Sequence, residues 1–332
     1  MEKINLSHGA GGKAMQELIN NIISQIELKK TKGGRGLDKL DDSGIINLNN
    51  FKFAFTTDSY TINPIFFRGG DIGKLSVCGT INDLAVSGAI PIALSLSFII
   101  EDGFEYKNLY KIIKSINKGS IKNNTPIICG DTKIVEKGKI DKIIINTSGI
   151  GRVYKSLGDD KVKTGDKIIV LGSVGDHGIS ILAERFDIDT KLKSDCSSIL
   201  NIAKECLKEE GVTNMKDPTR GGLAACLNEI ADKSGVGIYI QEEKIPIKNE
   251  VKIIGDLLGI DPLQTACEGR AVIFVKPDNA DKILKKLKKY NRDASIIGEV
   301  RKKPAGKVIL ETKVGGKRFL ESPVGELYPR IC

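Results

Sequence analysis

The chain has 332 residues, 40% hydrophobic and 28% charged, with a formal net charge of +9, an ordinary balance for a globular protein with room for two domains. No apolar run approaches the roughly 20 residues that a bilayer span needs, and the first residues lack the pattern of a secretion signal, so the expected location is the cytoplasm. The positive charge does not argue for nucleic acid: the densest cluster, Lys285, Lys286, Lys288 and Lys289, reads as a solvated helix face, and 5% aromatic residues without tryptophan leave little to stack on bases.

A glycine-rich stretch, Ser7 to Lys13, precedes a helix-like segment at 14–23. Residues 45–48 and 51–57 read as two strands joined by a turn at Asn49 and Asn50. Residues 71–88 have helical spacing, with Leu75, Cys78, Ile81, Leu84 and Ala85 on one face, and Pro91 follows. A strand at 92–100, an amphipathic helix at 104–122, a short buried strand at 127–129 and another strand at 142–151 complete the first half. A boundary falls near 153–165. The second half opens with a strand at 167–171 and turns through Gly172–Gly178 into a helix. Helices follow at 195–210 and 221–234, and strands at 237–241, 271–275, 295–300 and 307–312. Alternating strands and helices, with hairpins, predict an α+β (mixed α/β) fold in two domains, 1–155 and 156–313. In the remaining tail, 314–332, Gly315, Gly316, Pro323, Gly325 and Pro329 leave no room for a long helix, and an extended, mobile terminus is expected.

Cysteine occurs seven times, at 78, 129, 196, 206, 226, 267 and 332, with no CxxC pair. The odd number and the spacing argue against a disulfide framework or a structural zinc site. Six read as core thiols. Cys332, last in the chain, reads as an exposed thiol with reach; its ordinary pKa of about 8.5 means that it needs an activated electrophile or an activating partner. With only His8 and His177, a histidine-rich metal site is excluded; each serves equally as an acid–base group or a hydrogen-bonded structural one.

Aspartates beside small residues recur at strand ends and turns: Asp42, Asp58, Asp83, Asp131 and Asp217. Any one of them serves as a cap or an Asx turn; as a set they suit magnesium and a nucleotide, because magnesium binds through a few carboxylates plus phosphate oxygens. The loop Asp217-Pro218-Thr219-Arg220-Gly221-Gly222 lets backbone approach a ligand closely, and the helix after it offers amides to phosphate. The segment from Ser7 to Lys13, with Gly11 and Gly12, offers the same less specifically. Lys133 is either a phosphate-neutralising group or a surface lysine. Glu268 is either a general base or a partner for Arg270.

The segments SHGAGGK, DDSG, TTDSY, GTINDLAVSGAIP, CGDTK, GDHG, DPTRGGL, ACEGR and PRIC closely resemble the HypE family of hydrogenase maturation factors, within the superfamily of aminoimidazole ribonucleotide (AIR) synthetase and selenophosphate synthetase. The match covers the whole chain; TINDLAVSGAIP and DPTRGG mark the superfamily, PRIC this family. The resemblance implies two AIR synthetase-like domains, the N-terminal ones pairing in a homodimer through a shared β-barrel. It implies ATP and Mg2+ across the interdomain cleft, with Asp42, Asp58, Asp83 and Asp217 as metal-binding acids and the N-terminal glycines and Lys13 covering the nucleotide.

It implies further that Cys332 receives a carbamoyl group from a HypF-like carbamoyltransferase, and that ATP drives dehydration of this group to a thiocyanate. The cyanide then passes to iron held by a HypC–HypD complex, as a ligand for nickel–iron hydrogenase. Phosphorylation turns the carboxamide oxygen into a leaving group. By its matching motif Glu268 is the base that takes the N–H protons, Lys133 steadies developing charge, and Asp83 serves the metal, the thiocarboxamide or both. Cys332 then moves between the cleft and the outside, a gated step. A selenophosphate synthetase is disfavoured because SHGAGGK lacks a reactive cysteine, and a non-catalytic maturation scaffold because the acids and glycine loops are retained.

Overall fold

The computed structural model describes residues 3–9 and 12–323. Helix α1 (Lys13–Ser24) leads to a hairpin of β1 (Gly44–Leu48) and β2 (Phe51–Tyr60), whose turn holds Asn49 at a φ of 53°, a conformation asparagine tolerates better than most residues. A small hairpin, β3 (Phe66–Phe67) and β4 (Gly70–Asp71), precedes α2 (Ile72–Val86), where the Asp71 side chain caps the helix by accepting from the Lys74 amide at 2.9 Å. β5 (Ala89–Glu101), α3 (Tyr106–Asn123), β6 (Ile127–Val135) and β7 (Ile143–Val153) follow. The sheet order is β1-β2-β7-β5-β6, antiparallel except for the β5–β6 pair.

The second half runs β8 (Lys167–Val170), α4 (Asp176–Arg185), α5 (Leu200–Leu207), β9 (Val212–Lys216), α6 (Gly222–Ser234), β10 (Gly237–Gln241), α7 (Asn249–Leu258), β11 (Val272–Val275), α8 (Pro277–Leu287), β12 (Ser295–Arg301), β13 (Lys307–Glu311) and β14 (Lys317–Phe319). Its sheet order is β14-β13-β10-β12-β8-β11-β9, with only β10–β13 parallel. The architecture is the mixed α/β one expected. Among the described residues, no helix is long and apolar enough to cross a membrane.

The sequence gives α2 one apolar face, yet every residue of it except Lys74 and Asp83 is buried. The cause is its position: it packs on β2, β5 and β7 of the first sheet, beside α3, and also against α5 and β9 of the second half. Small residues make this possible. A Cβ added at Gly79 would lie 2.3 Å from the Tyr60 hydroxyl, and one at Gly73 would lie 2.6 Å from the Ile112 carbonyl. One apolar core therefore runs through both halves, joining Leu75 and Ile81 to Ile169, Met215 and Ile283. Each such side chain contributes about 1.5–3 kcal/mol of burial.

Four expectations are corrected. The tail expected from residue 314 begins later, because β14 pairs with β13 and Leu320, 1% exposed, joins the core of the second half. The strand at 127–129 is neither short nor buried: β6 is an exposed edge strand reaching Val135. Cys129, on β6, is accordingly exposed, whereas Cys78, Cys196, Cys206, Cys226 and Cys267 are buried as expected. The helix expected over 195–210 is confined to α5, because Asp195 and Ser197 hydrogen-bond the backbone of Glu268 instead of continuing a helical ladder.

His177 sits at the start of α4, fully buried, with Nδ1 bonded to the Ser194 hydroxyl at 2.7 Å and its ring edge-on to Phe67. This is a structural setting. Burial, with Arg185 adding to it, pushes its pKa down to about 3, so the folded state keeps it neutral while the unfolded chain takes up a proton below about 6.5. The unfolded state then holds more protons, and stability is lost as pH falls from about 6.5 toward 3, by up to about 1.4 kcal/mol per pH unit. In urea unfolding between pH 7 and 4.5, His177→Gln should show a shallower fall of midpoint with pH than the native chain.

Candidate functional site

A cleft of about 840 Å³ lies between the halves, bordered by α1, the end of β2, α2, β9, α6 and the loop before β11. Strand alternation puts Thr56, Asp58 and Tyr60 on the side of β2 that faces α2. There the Thr56 hydroxyl donates to Asp83 Oδ2 at 2.8 Å, and the Tyr60 hydroxyl donates to Asp58 Oδ2 at 3.2 Å while meeting Thr80. Asp83 emerges from α2, Asp42 precedes β1, and Asp217 follows β9. Glu268 comes from the loop before β11. All of Asp42, Asp58, Asp83, Asp217, Thr219 and Glu268 line the same cleft.

Two loops lock Asp217 and Glu268 together. The Cys267 amide donates to the Pro218 carbonyl at 3.0 Å. Gly221 and Gly222 have φ of 74° and 61°, and a Cβ on Gly222 would lie 2.5 Å from the Thr265 carbonyl. This left-handed turn favours glycine. These two glycines do not border the cleft; they seat the loop that carries Asp217 and Thr219.

The acids crowd one another. Burial first, and then Asp58, Asp217 and Asp42, raise the Asp83 carboxyl well above the usual range. Burial and Asp42 bring Asp217 to about 8. Glu268 is raised well above its ordinary value by burial and then by Asp217, Asp195 and Asp58. Like charges held this close call for a cation. Among the described residues, no three His, Cys, Asp or Glu side chains converge to hold an ion unaided. The donor set instead fits magnesium arriving with a nucleotide, since that ion keeps waters and phosphate oxygens in its shell.

One internal cation is already present. Lys216 Nζ lies 3.2 Å from Asp42 and 3.1 Å from Glu229. Burial works against its charge, but Asp42, Glu229 and Asp159 outweigh it and hold its pKa well above the ordinary value. Arg220, on the cleft wall, comes within 3.9 Å of Asp58. The sequence reading missed Lys216, Arg220, Thr56 and Tyr60 as site residues. The alternate positions of TTDSY were the available signal for Thr56 and Tyr60. Lys216→Met leaves Asp42 without its ammonium, whereas Glu229 keeps Lys233 at 2.6 Å; urea unfolding should show a loss of about 3 kcal/mol, the low end for a buried pair because one acid keeps a partner, and Lys216→Arg should lose less.

The N-terminal segment reaches the mouth of the cleft through Gly12 and Lys13. Lys13 pairs with Glu17 at 3.7 Å, and a Cβ on Gly12 would lie 2.1 Å from the Pro323 carbonyl. Ser322 also borders the cleft, so the start of α1 and the last described residues meet there. Gly11 and Cys332 lie outside the described residues. Asp131 and Lys133 are not brought to the acid cluster of their own chain: both are exposed on β6, because that strand is the far edge of the first sheet. His8 bonds to Asn5 beside its own turn.

The profile of the AIR synthase related protein N-terminal domain matches residues 40–153, and that of the C-terminal domain matches 163–311. Carbamoyl dehydratase HypE of Rhizobium leguminosarum bv. viciae is 41% identical over 338 residues, covering 99% of this chain and 95% of its own. The protein of that name from Escherichia coli (strain K12) is 38% identical over 343 residues, covering all of both. Among solved structures, the hydrogenase maturation protein HypE in complex with ATP superimposes with a TM-score of 0.83 at 35% identity, over 99% of this chain and 100% of that one. A chain of the HypE–HypF complex gives 0.85 at 38% identity, over 94% and 100%.

Proposed function

The chain belongs to the HypE family of AIR synthase related proteins, and on that premise we propose that it is an ATP-dependent carbamoyl dehydratase of hydrogenase maturation, acting on a carbamoyl group carried by Cys332. The observation that carries this reading is the cleft in which Asp58, Asp83, Asp217 and Glu268 converge beside the chain's exit at Ser322. From Pro323, the nine residues to Cys332 span at most about 30 Å when extended, enough to bring the thiol back to the acids.

The reaction follows from the groups present. The γ-phosphoryl group of ATP goes to the carboxamide oxygen, which then leaves as phosphate. One N–H proton is lost as the oxygen is phosphorylated and the other as the C–O bond breaks, one to Glu268 and one to the departing phosphate; a C≡N bond forms, and S-carbamoyl-cysteine becomes S-cyano-cysteine. Glu268 takes a proton from the nitrogen; burial and then Asp217 raise its affinity for protons, which strengthens it as a base. Asp42, Asp58, Asp83 and Asp217 would hold magnesium, which when bound supplies charge neutralisation for the phosphates. Asp42 is the one that already has an ammonium partner, and Arg220 is placed to meet phosphate. Residues 1–155 carry nucleotide binding and dimerisation, the unit that opens at 156 and runs through β14 and Leu320 the second wall of the cleft, and the residues after it the thiol.

The carbamoyl group comes from a HypF-like carbamoyltransferase, in keeping with the relative solved with HypF. The cyanide goes to iron in a HypC–HypD complex. A homodimer accounts for the first sheet's second face. Phe55 is 45% exposed there, and Asp131 and Lys133 share that face by their register with Ser97 and Ile99. A second copy packed on it as a β-barrel covers the apolar residues and carries Asp131 and Lys133 toward its partner's cleft. Phe55→Glu should convert the dimer to a monomer in sedimentation, with turnover lost in proportion.

The chemistry is tested by incubating the protein with the carbamoyltransferase, carbamoyl phosphate and ATP, and measuring intact mass. Native protein should gain the mass of a thiocyanate at Cys332. Cys332→Ser should gain nothing, and Glu268→Gln should accumulate the carbamoyl mass, forming thiocyanate far more slowly, while still binding ATP. Absence of the thiocyanate mass on native protein would sink the proposal. ATP turnover that ignores the state of Cys332 would favour another enzyme of the superfamily.

A further inference from the structure

Asn82 precedes Asp83 on α2, is 1% exposed, and faces the second half rather than the cleft. Its side-chain amide is fully engaged there. Nδ2 donates to the Ser197 carbonyl at 3.1 Å and to the Glu268 carbonyl at 3.3 Å, 186 positions away in sequence. Oδ1 accepts from the Ile199 amide at 2.9 Å. The Glu268 carbonyl also accepts from the Ser197 amide at 3.3 Å, and the Glu268 amide donates to Asp195 Oδ1 at 3.1 Å. The Asp195 carboxylate in turn lies 3.6 Å from Arg270. Both polar atoms of the Glu268 main chain are therefore gripped, and one grip comes from the helix that carries Asp83.

We propose that Asn82 is a positioning residue that fixes the peptide of Glu268 against α2, and so sets the base at its working distance from Asp83; this rests on the reading of Glu268 as the base. Only a carboxamide satisfies the site. Two carbonyls face Nδ2 and one N–H faces Oδ1, so a carboxylate would set an anion against two carbonyl oxygens, and an apolar side chain would leave the Ser197 carbonyl and the Ile199 amide buried without a partner and the Glu268 carbonyl with the Ser197 amide alone. The neighbouring residues divide two tasks. Asp83 points into the cleft, and Asn82 holds the opposite wall to the same turn of helix.

The test uses the full chain, carbamoylated on Cys332 by its carbamoyltransferase, with ATP-dependent thiocyanate formation followed by mass. Asn82→Asp and Asn82→Ala should lower kcat by about a hundredfold, the cost of misplacing a catalytic group by about 1 Å, with KM for ATP unchanged. Asn82→Ala removes the donors without adding charge. Circular dichroism fixes a temperature at which each variant is folded, and rates are taken there. The combined variant with Glu268→Gln should be no slower than Glu268→Gln alone, because Asn82 acts through Glu268. Native kcat in folded Asn82→Ala, a rise in KM for ATP at native kcat, or losses that multiply in the combined variant would each overturn the proposal. Native kcat in Glu268→Gln would instead overturn the assignment of the base.

Discussion

The structure depends on one packing constraint: α2 is buried on all sides between a sheet and the opposite half of the chain. A helix in that position cannot adjust to one neighbour without disturbing the other, because close-packed interiors transmit strain. Its two ends of contact are chemically unlike. Toward the first sheet it offers Thr80 and the glycine that admits Tyr60. Toward the second half it offers Asn82. Asp58 of β2 and the loop of Glu268 are placed relative to each other because both are registered to this helix.

The electrostatics follow from that placement. Asp83, Asp217 and Glu268 each have their proton affinity raised first by burial and then by neighbouring acids, Asp58 acting on all three. Asp42 and Glu229 share Lys216; burial raises both, but Glu229, which also pairs with Lys233 at 2.6 Å, ends below its ordinary value while Asp42 stays above it. The cleft wall is thus part neutralised from within and part left for charge brought by a ligand. A nucleotide with its metal supplies charge of both signs, and the two sections of the wall suit them separately.

Much of this was legible in the sequence. Alternation and helical spacing gave most strands and helices of both halves, and the motifs gave Asp42, Asp58, Asp83, Asp217 and Glu268, all of which border one cleft. What was not legible depends on partners far away in the chain. Periodicity cannot tell a helix buried on one face from one buried on all, and α2 reads the same in either case until its second neighbour is known. Asp195 and Ser197 lie in a helix-like pattern, and only their bonds to Glu268 show why the helix starts later. Lys216 is one lysine among many until Asp42 and Glu229 close around it. Asp131 and Lys133 carried a motif but sit on an edge strand, where one chain alone does not give them a site.

Burial of the acid cluster has a consequence for the salt around the protein. Ions in solution screen exposed charges over a Debye length of about 10 Å at 0.1 M, but they screen buried charges far less. Asp217 and Glu268 are 7% and 5% exposed, so dissolved ions do little to relax their repulsion. The pull of this cleft on a cation is therefore set by the fold rather than by the medium. It persists at ionic strengths that would silence a cluster of the same acids on the surface.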